Sequence, residues 1–259
     1  MLDETRCHSW VSSLHLRWDI PPFNVQLQEH EVHIWKASLE TSNSVIQKLE
    51  HVLSKDEATY ASRFHFEKDR RYCIVARGML RMLLSYYLNS DPSQLRFSSN
   101  SYGKPFLTFP SLNPRLHFNL SHSRDLALYV FSYARQVGID VEYKRAEIDI
   151  DSLARISFSS NEQAFLRSLP DNLKCDAFFN CWTRKEAYIK ALGEGLSVPS
   201  PSYVDTFQPG EPTALFEDRE DPRGIICLSL NGISTGDRYA GALAVEGTEW
   251  RLNCWVCDE

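Results

Sequence analysis

Residues 137–143 of the chain read Val137-Gly138-Ile139-Asp140-Val141-Glu142-Tyr143. Its residues alternate in character, and successive side chains of a β-strand point to opposite faces. The apolar residues therefore share one face, and Gly138, Asp140 and Glu142 share the other. Two carboxylates placed two residues apart on one face lie about 6.6–7 Å apart at Cα. The sequence predicts a strand that presents a pair of acidic side chains on one face.

The acidic pair of Asp140 and Glu142 has two interpretations. Left unpaired, neighbouring carboxylates repel each other and resist burial. The two side chains can instead converge on one hard cation, and Mg²⁺ suits a ligand set made only of oxygen atoms. The same pattern is typical of a half-exposed strand whose polar residues face water. The strand alone does not decide between these interpretations.

Toward the C-terminus, a second segment carries charged residues at helical spacing. The interval 173–192 predicts a long helix that ends at Gly193. Glu186 and Lys190 lie four residues apart and therefore share one face of this helix. They are either an ordinary surface ion pair or a third carboxylate for the cation with an ammonium group one turn further along.

Toward the N-terminus, the segment Asn119-Leu120-Ser121-His122-Ser123 joins two predicted strands, 115–120 and 126–133. A histidine in a loop between strands is often structural. A serine beside a histidine is compatible with a hydrolase, but no G-x-S-x-G motif surrounds Ser121, and neighbours on an extended chain point opposite ways. We expect Ser121 and His122 to donate hydrogen bonds to an anionic oxygen.

The first half of the chain predicts a long helix over 69–88, because its apolar residues fall at helical spacing. The other side of that helix carries Arg70, Arg77 and Arg81, and the pattern favours a solvated basic face. Ser54 followed by Glu57 forms a capping box, which predicts a further helix. Helices interleave with clusters of short strands, and this mixture favours an α+β fold.

The composition excludes several classes of protein. Of the 259 residues, 43% are hydrophobic and 24% charged, which is enough apolar material for a substantial core and excludes a disordered chain. The net charge is −6, so we expect no nucleic-acid partner, and any bound anion must be held by a local basic cluster or a metal. Neither an export signal nor a stretch long enough to span a bilayer is present, which predicts a cytoplasmic protein without a membrane partner.

The seven cysteines are an odd number, which argues against a disulfide framework. Cys254 and Cys257 form a C-x-x-C pair, but no second pair stands at zinc-finger spacing. We expect reduced thiols near a terminal strand.

Taken in order, these motifs resemble the 4′-phosphopantetheinyl transferases of the surfactin-synthetase-activating type. The resemblance rests on the D-x-E strand and on Trp182-x-x-Lys185-Glu186-Ala187, and it covers roughly residues 50–205. Further matching segments are Ser54–Glu57, Arg63-Phe64, Tyr102-Gly103-Lys104-Pro105, Asn119–His122 and Gly193–Ser197.

The resemblance implies a fold of two similar α+β lobes, 1–133 and 134–259, related by a pseudo-twofold axis with the active site in the cleft between them. It implies transfer of the 4′-phosphopantetheine group of coenzyme A to a serine of an apo acyl or peptidyl carrier protein, with release of adenosine 3′,5′-bisphosphate. A two-lobed chain has less need to trimerise than a half-length relative, so we expect a monomer. No motif tells whether the carrier serves fatty-acid, polyketide or nonribosomal-peptide synthesis.

The resemblance also implies a role for individual residues. Asp140, Glu142 and Glu186 would bind Mg²⁺. Glu186 would also be the base for the carrier serine, and Lys190 would face the pyrophosphate of coenzyme A. The expected contacts to coenzyme A are Lys104 at the nucleotide end and Ser121 and His122 at the pyrophosphate or the 3′-phosphate. The face with Arg70 and Arg77, together with Lys68, would contribute to phosphate binding, and Arg63 or Lys68 would hold the 3′-phosphate. Some relatives carry lysines for that phosphate where Glu57 and Tyr60 stand in this sequence.

Two other classes of function fit part of this set. A non-catalytic protein that binds coenzyme A or a nucleotide would keep Lys104 and His122 but would not need three carboxylates. A metal-dependent phosphohydrolase would use water in place of the carrier serine. The three carboxylates favour the enzyme over the binding protein.

Overall fold

The computed structural model describes residues 16–110, 115–133, 135–145, 147–193, 213–215, 225–229, 238–247 and 249–257. The chain divides into two compact units. The first unit takes its described residues from 18–100, 105–134 and 250–259, and the second takes them from 1–17, 101–104 and 135–249. Residues 194–197 of the motif after Gly193 lie outside the described part.

The described part of the chain is a mixture of helices and strands, which confirms the α+β class. In chain order the elements are β1 (Glu31–Ser38), α1 (Asn43–His51), α2 (Lys55–Ala61), α3 (Glu67–Leu88), β2 (Arg96–Ser99), β3 (Pro105–Phe109), β4 (Leu116–Ser123), β5 (Leu126–Tyr133), β6 (Val137–Tyr143), α4 (Ile150–Ser157), α5 (Ser160–Ser168), α6 (Asp171–Leu192), β7 (Thr213–Leu215), β8 (Ile225–Ser229), β9 (Tyr239–Glu246) and β10 (Arg251–Val256).

The first unit is built on a sheet in the order β10-β1-β5-β4, with β2 and β3 as a separate hairpin. Helix α3 buries one side, including Ile74 and Leu84, in a core that it shares with Tyr129 and Phe131 of β5. The predicted capping box of α2 is confirmed, since Ser54 and Glu57 bond reciprocally to each other's backbone amides. Helix α3 ends at Asn89, whose φ of 46° is left-handed.

Two sequence predictions for the first unit are wrong in part. Arg81 does not lie on a solvated face: it is buried, and its guanidinium donates to Glu57 at 2.7 Å and to the carbonyl of Pro92 at 2.7 Å. The segment with Ser121 and His122 is not a loop, because β4 continues through both residues and pairs with β5 up to Ser123. Only the turn at Arg124 and Asp125 joins the two strands.

The second unit is built on a sheet in the order β6-β9-β8-β7, in which neighbouring strands run antiparallel. Helix α6 packs on β6 and β9 and also contacts α4 and α5. The predicted end of this helix is confirmed, since Gly193 adopts a left-handed φ of 74° and its amide bonds to the carbonyl of Ile189 at 2.9 Å.

The contact between β6 and α6 is unusually close at Gly138. A Cβ atom at this position would overlap the carbonyl oxygen of Ala187 and the amide nitrogen of Ala191. Both alanines are fully buried, together with Ala242 and Ala244 of β9. Small side chains on both surfaces therefore allow the helix backbone to lie directly on the strand.

Several other features of the described residues bear on the sequence predictions. Five described cysteines, among them Cys254 and Cys257, carry free thiols. Burial raises the pKa of the Cys254 thiol to about 12, which keeps it protonated and unreactive.

Within the described residues, no helix has the length and apolar character needed to cross a membrane.

Gly138→Ala should destabilise the second unit. The new methyl group would overlap backbone atoms of α6, which cannot move aside as the end of a flexible side chain can. We expect a loss of about 3 kcal/mol in the free energy of unfolding, at the upper end of the range for overpacking. Ile139→Val is the matched control: it removes one methyl group from the opposite face of the same strand and should cost only about 0.5–1.5 kcal/mol. Urea unfolding measures both, and an equal effect of the two substitutions would contradict the close contact.

Candidate functional site

The second unit brings together four of the predicted site residues. Asp140 lies on β6 with its side chain only 4% exposed, and the Lys190 ammonium from α6 lies 2.6 Å from its Oδ1 atom. Glu142 is half-buried two residues further along the strand, and Glu186 is half-buried one helical turn before Lys190. The alternation of β6 turns its acidic face toward α6, since Gly138 on that face contacts the helix.

The electrostatics of Glu186 show how close these carboxylates are. Burial raises the pKa of Glu186, and the negative charges of Asp140 and Glu142 raise it further. The Lys190 ammonium opposes this shift, but the net direction is upward. Three carboxylates from two elements therefore act on one another in a partly dry environment, where like charges repel strongly.

The chemistry of this donor set suits a hard divalent cation. All its candidate donors are carboxylate oxygens, the ligands that Mg²⁺ prefers, and a cation would relieve the repulsion that raises the pKa of Glu186. Among the described residues, however, no group of three or more His, Cys, Asp or Glu side chains is arranged closely enough to hold an ion. In this arrangement the Lys190 ammonium occupies the Oδ1 side of Asp140.

A buried ion pair supports the helix segment that carries Glu186. Lys185, the preceding residue, lies 2.6 Å from Glu162 of α5, and the two side chains are 6% and 0% exposed. The Lys185 ammonium also donates to the carbonyl of Ser157 at 3.3 Å. A charged pair this deep is stable only when its hydrogen bonds are satisfied, and these contacts meet that condition. The lysine of the W-x-x-K-E-A motif thus points into the unit rather than toward a ligand.

Lys104, expected at the nucleotide end of coenzyme A, has its ammonium inside the second unit. It donates to the carbonyls of Val137 at 3.1 Å and Ala191 at 3.0 Å, and to Oε1 of Gln136 at 3.4 Å. Burial lowers the pKa of Lys104 to about 8.

The first unit contains a pocket of about 980 Å³ between α2, α3, the β2–β3 hairpin and the end of β4. Three of the predicted phosphate contacts line it: Lys68, Arg77 and His122. Arg77 stacks on the ring of Tyr60 at 4.5 Å and lies 3.9 Å from Glu57. The pocket combines basic groups and an aromatic surface, which suit a phosphorylated nucleotide, with four carboxylates, those of Asp56, Glu57, Asp69 and Asp125.

Two other predicted contacts are placed differently. Ser121 is buried, and Arg63 is exposed on the surface after α2; neither lines the pocket. Sequence reasoning also missed two arginines that do line it, Arg96 and Arg124. Arg124 has a φ of 50° in the turn after β4. The sequence did contain an indication of Arg124, because this residue stands two residues after His122, a predicted phosphate contact.

Two family models match this chain, one in each half. A family model described as the 4′-phosphopantetheinyl transferase superfamily matches residues 136–244, and one described as the N-terminal part of a 4′-phosphopantetheinyl transferase matches residues 35–132. The first match includes the acidic strand and helix α6, and the second includes the pocket helix α3 and strand β4.

Individual relatives agree with this class. The 4′-phosphopantetheinyl transferase HetI of Nostoc sp. is 40% identical over 92% of this chain and 97% of its own length. The transferase Sfp of Bacillus subtilis is 32% identical over 66% of this chain and 74% of its own length. A mouse protein named L-aminoadipate-semialdehyde dehydrogenase-phosphopantetheinyl transferase is 30% identical over 66% of this chain and 60% of its own length. The chain belongs to the 4′-phosphopantetheinyl transferase family.

Glu186→Gln should stabilise the protein when divalent metal is removed. The raised pKa means that the folded state disfavours the carboxylate form, so Glu186 destabilises the fold increasingly as the pH rises above its unfolded value of 4.5. Glutamine removes this charge. Thermal unfolding in EDTA should show a higher midpoint for the variant at pH 8 and a much smaller difference at pH 4.5.

Glu147→Gln, at an exposed position after β6, is the control and should shift the midpoint at neither pH. A lower midpoint for Glu186→Gln at pH 8 would mean that its carboxylate stabilises the fold and would contradict the repulsion described above.

Proposed function

We propose that this chain transfers the 4′-phosphopantetheine group of coenzyme A to a serine hydroxyl of an apo acyl or peptidyl carrier protein, with release of adenosine 3′,5′-bisphosphate. The family membership supports the transferase class, since its named relatives are 4′-phosphopantetheinyl transferases. The observation that carries the proposal is the grouping of Asp140, Glu142 and Glu186 with Lys190 on two packed elements.

We propose Mg²⁺ as the cofactor, held by Asp140, Glu142 and Glu186. A bound Mg²⁺ supplies positive charge to the phosphoryl oxygens of the pyrophosphate. The Lys190 ammonium, which lies 2.6 Å from Oδ1 of Asp140, is placed beside these carboxylates and would meet a pyrophosphate oxygen, the role proposed for it from the resemblance. The cation and the basic groups around it would explain how a chain of net charge −6 can bind a polyanion.

The proposed base is Glu186. In the reaction, the serine oxygen forms a bond to the β-phosphorus of coenzyme A, the phosphoanhydride bond breaks, and its oxygen leaves with the bisphosphate. The serine proton passes to the Glu186 carboxylate, directly or through water. General base catalysis of this kind needs a carboxylate within hydrogen-bond reach of the hydroxyl group, either directly or through one water molecule. Otherwise the protein positions the reactants and neutralises charge.

For the nucleotide end of coenzyme A, we propose the pocket of the first unit. Lys68, Arg77 and His122 line it and are the groups proposed to contact phosphates. Glu57 and Tyr60, which replace the lysines of some relatives, are used differently here: Glu57 holds Arg81, and Tyr60 supports Arg77. Contacts from Arg63 and Ser121 to coenzyme A stay predictions.

Some finer features stay predictions as well. They are the surfactin-synthetase-activating subtype, the pseudo-twofold relation of lobes 1–133 and 134–259, the monomeric state, the cytoplasmic location and the absence of a nucleic-acid or membrane partner. The identity to HetI exceeds that to Sfp, so the comparisons support the family without choosing the subtype.

The direct test incubates the protein with coenzyme A, Mg²⁺ and a panel of apo carrier proteins, and follows the carrier by mass spectrometry. We expect one phosphopantetheine per carrier. Asp140→Ala should abolish transfer at any practical Mg²⁺ concentration, and Glu186→Gln should slow it by more than about tenfold, since each removes a proposed metal ligand and the second also removes the base. Glu147→Gln should transfer at the wild-type rate.

The outcomes separate the three classes of function. Bisphosphate release without a carrier would indicate a phosphohydrolase, and binding of coenzyme A with neither product would indicate a non-catalytic protein. Near-normal transfer by Asp140→Ala would refute the metal assignment. An effect of Glu186→Gln confined to the affinity for coenzyme A would refute the base.

Arg77→Ala tests the nucleotide pocket. Losing a charge-assisted contact of about 1.5–3 kcal/mol should raise the KM for coenzyme A roughly 10- to 160-fold. If the contact is made to the 3′-phosphate, the KM for dephospho-coenzyme A should change by less than about threefold. Arg71→Ala, on the same helix but outside the pocket lining, is the matched control. An equal rise in KM for both substrates would contradict a 3′-phosphate contact.

A further inference from the structure

We propose that Lys104 is a positioning residue, whose ammonium ties β6 to the last turn of α6 and so sets the spacing of the acidic side chains that these elements carry. The inference rests on the proposed function for what those side chains do. It assigns Lys104 a place inside the second unit in contrast to the substrate contact that the sequence resemblance implies.

The hydrogen bonds of Lys104 carry this inference. An ammonium group has three donor hydrogens, and among the described residues Lys104 donates to the carbonyls of Val137 and Ala191 and to Oε1 of Gln136. The acceptors come from the start of β6 and from the end of α6. A phosphate group could bind this ammonium only by displacing one of them.

The hydrogen bonds of Lys104 lie beside the closest approach of β6 and α6. Val137 precedes Gly138, and the amide nitrogen of Ala191 is one of the atoms that a Cβ at Gly138 would overlap. Asp140 follows three residues after Val137 on the strand, and Lys190 directly precedes Ala191 on the helix. A shift of either backbone at this point is therefore passed on to the Asp140–Lys190 contact.

Helix chemistry gives a reason for a cation at this place. The last carbonyls of a helix have no partner within the helix, and the C-terminal end carries partial negative charge. The Lys104 ammonium satisfies the carbonyl of Ala191 in the last turn of α6. Its burial, which lowers the pKa to about 8, is unfavourable for a charged group, so its bonds must offset the lost hydration. Removing the ammonium would leave these buried acceptors to find other partners.

The test compares Lys104→Met, which keeps the length of the side chain but not its donors, with the wild type. Lys174→Met is the matched control, since Lys174 pairs with the exposed Asp171 at the other end of α6. Hydrogen exchange is measured by mass spectrometry on peptides covering β6 and the last turn of α6. Calorimetry gives the affinity for coenzyme A without metal and for Mn²⁺ in its presence, and the transfer assay gives kcat and KM.

For Lys104→Met we expect at least about tenfold faster exchange in the last turn of α6, the effect of losing roughly 1.4 kcal/mol of hydrogen bonding. We also expect weaker Mn²⁺ binding and a lower kcat, with the metal-free affinity for coenzyme A within about twofold of wild type. Lys104→Arg keeps a donor cation and should recover part of the exchange protection. This variant also tests the proposal if Lys104→Met fails to fold.

A different pattern would overturn the proposal. If Lys104→Met weakens metal-free coenzyme A binding while exchange in α6 and Mn²⁺ affinity stay unchanged, Lys104 is a substrate contact. Unchanged hydrogen exchange, Mn²⁺ affinity and kcat in Lys104→Met would show that the Lys104 hydrogen bonds do not set the spacing of the acidic side chains. The exchange measurement needs no turnover, so a wild-type protein that fails to transfer would refute the proposed function without deciding the role of Lys104.

Discussion

The second unit depends on one steric constraint, the direct contact between the backbones of β6 and α6 at Gly138. No side chain larger than hydrogen fits there, and the facing positions of the helix are Ala187 and Ala191. This contact brings the acidic face of the strand against the helix that carries Glu186 and Lys190. The distance between the charged groups is therefore set by the packing of small residues, and the electrostatics of the site follow from it.

The proximity of these charges is unfavourable for folding. Burial and two neighbouring carboxylates raise the pKa of Glu186, and an ammonium group must lie against Asp140. The surrounding structure holds this arrangement through contacts that are themselves buried, such as the Lys185–Glu162 pair. Closely placed charges with shifted pKa values are typical of functional sites. There a bound ligand stabilises charged groups that destabilise the ligand-free protein.

The sequence could predict what depends on local periodicity. The period of two in β6 placed Asp140 and Glu142 on one face, and the four-residue spacing placed Glu186 and Lys190 on another. What it missed depends on partners distant in sequence. Arg81 is buried because Glu57, 24 residues away in sequence, accepts a hydrogen bond from its guanidinium group. The acceptor for Lys104 in α6 lies 87 residues away, and no spacing rule reports such a contact.

We propose that the carboxylates on β6 and α6 form a site for a divalent cation when coenzyme A is bound. Electron paramagnetic resonance of Mn²⁺, titrated into the protein with saturating coenzyme A, tests it most directly, with Asp140→Asn as the comparison. We expect one bound Mn²⁺ per chain in the wild type and none in the variant at the same concentrations. Equal binding by both proteins would contradict the claim.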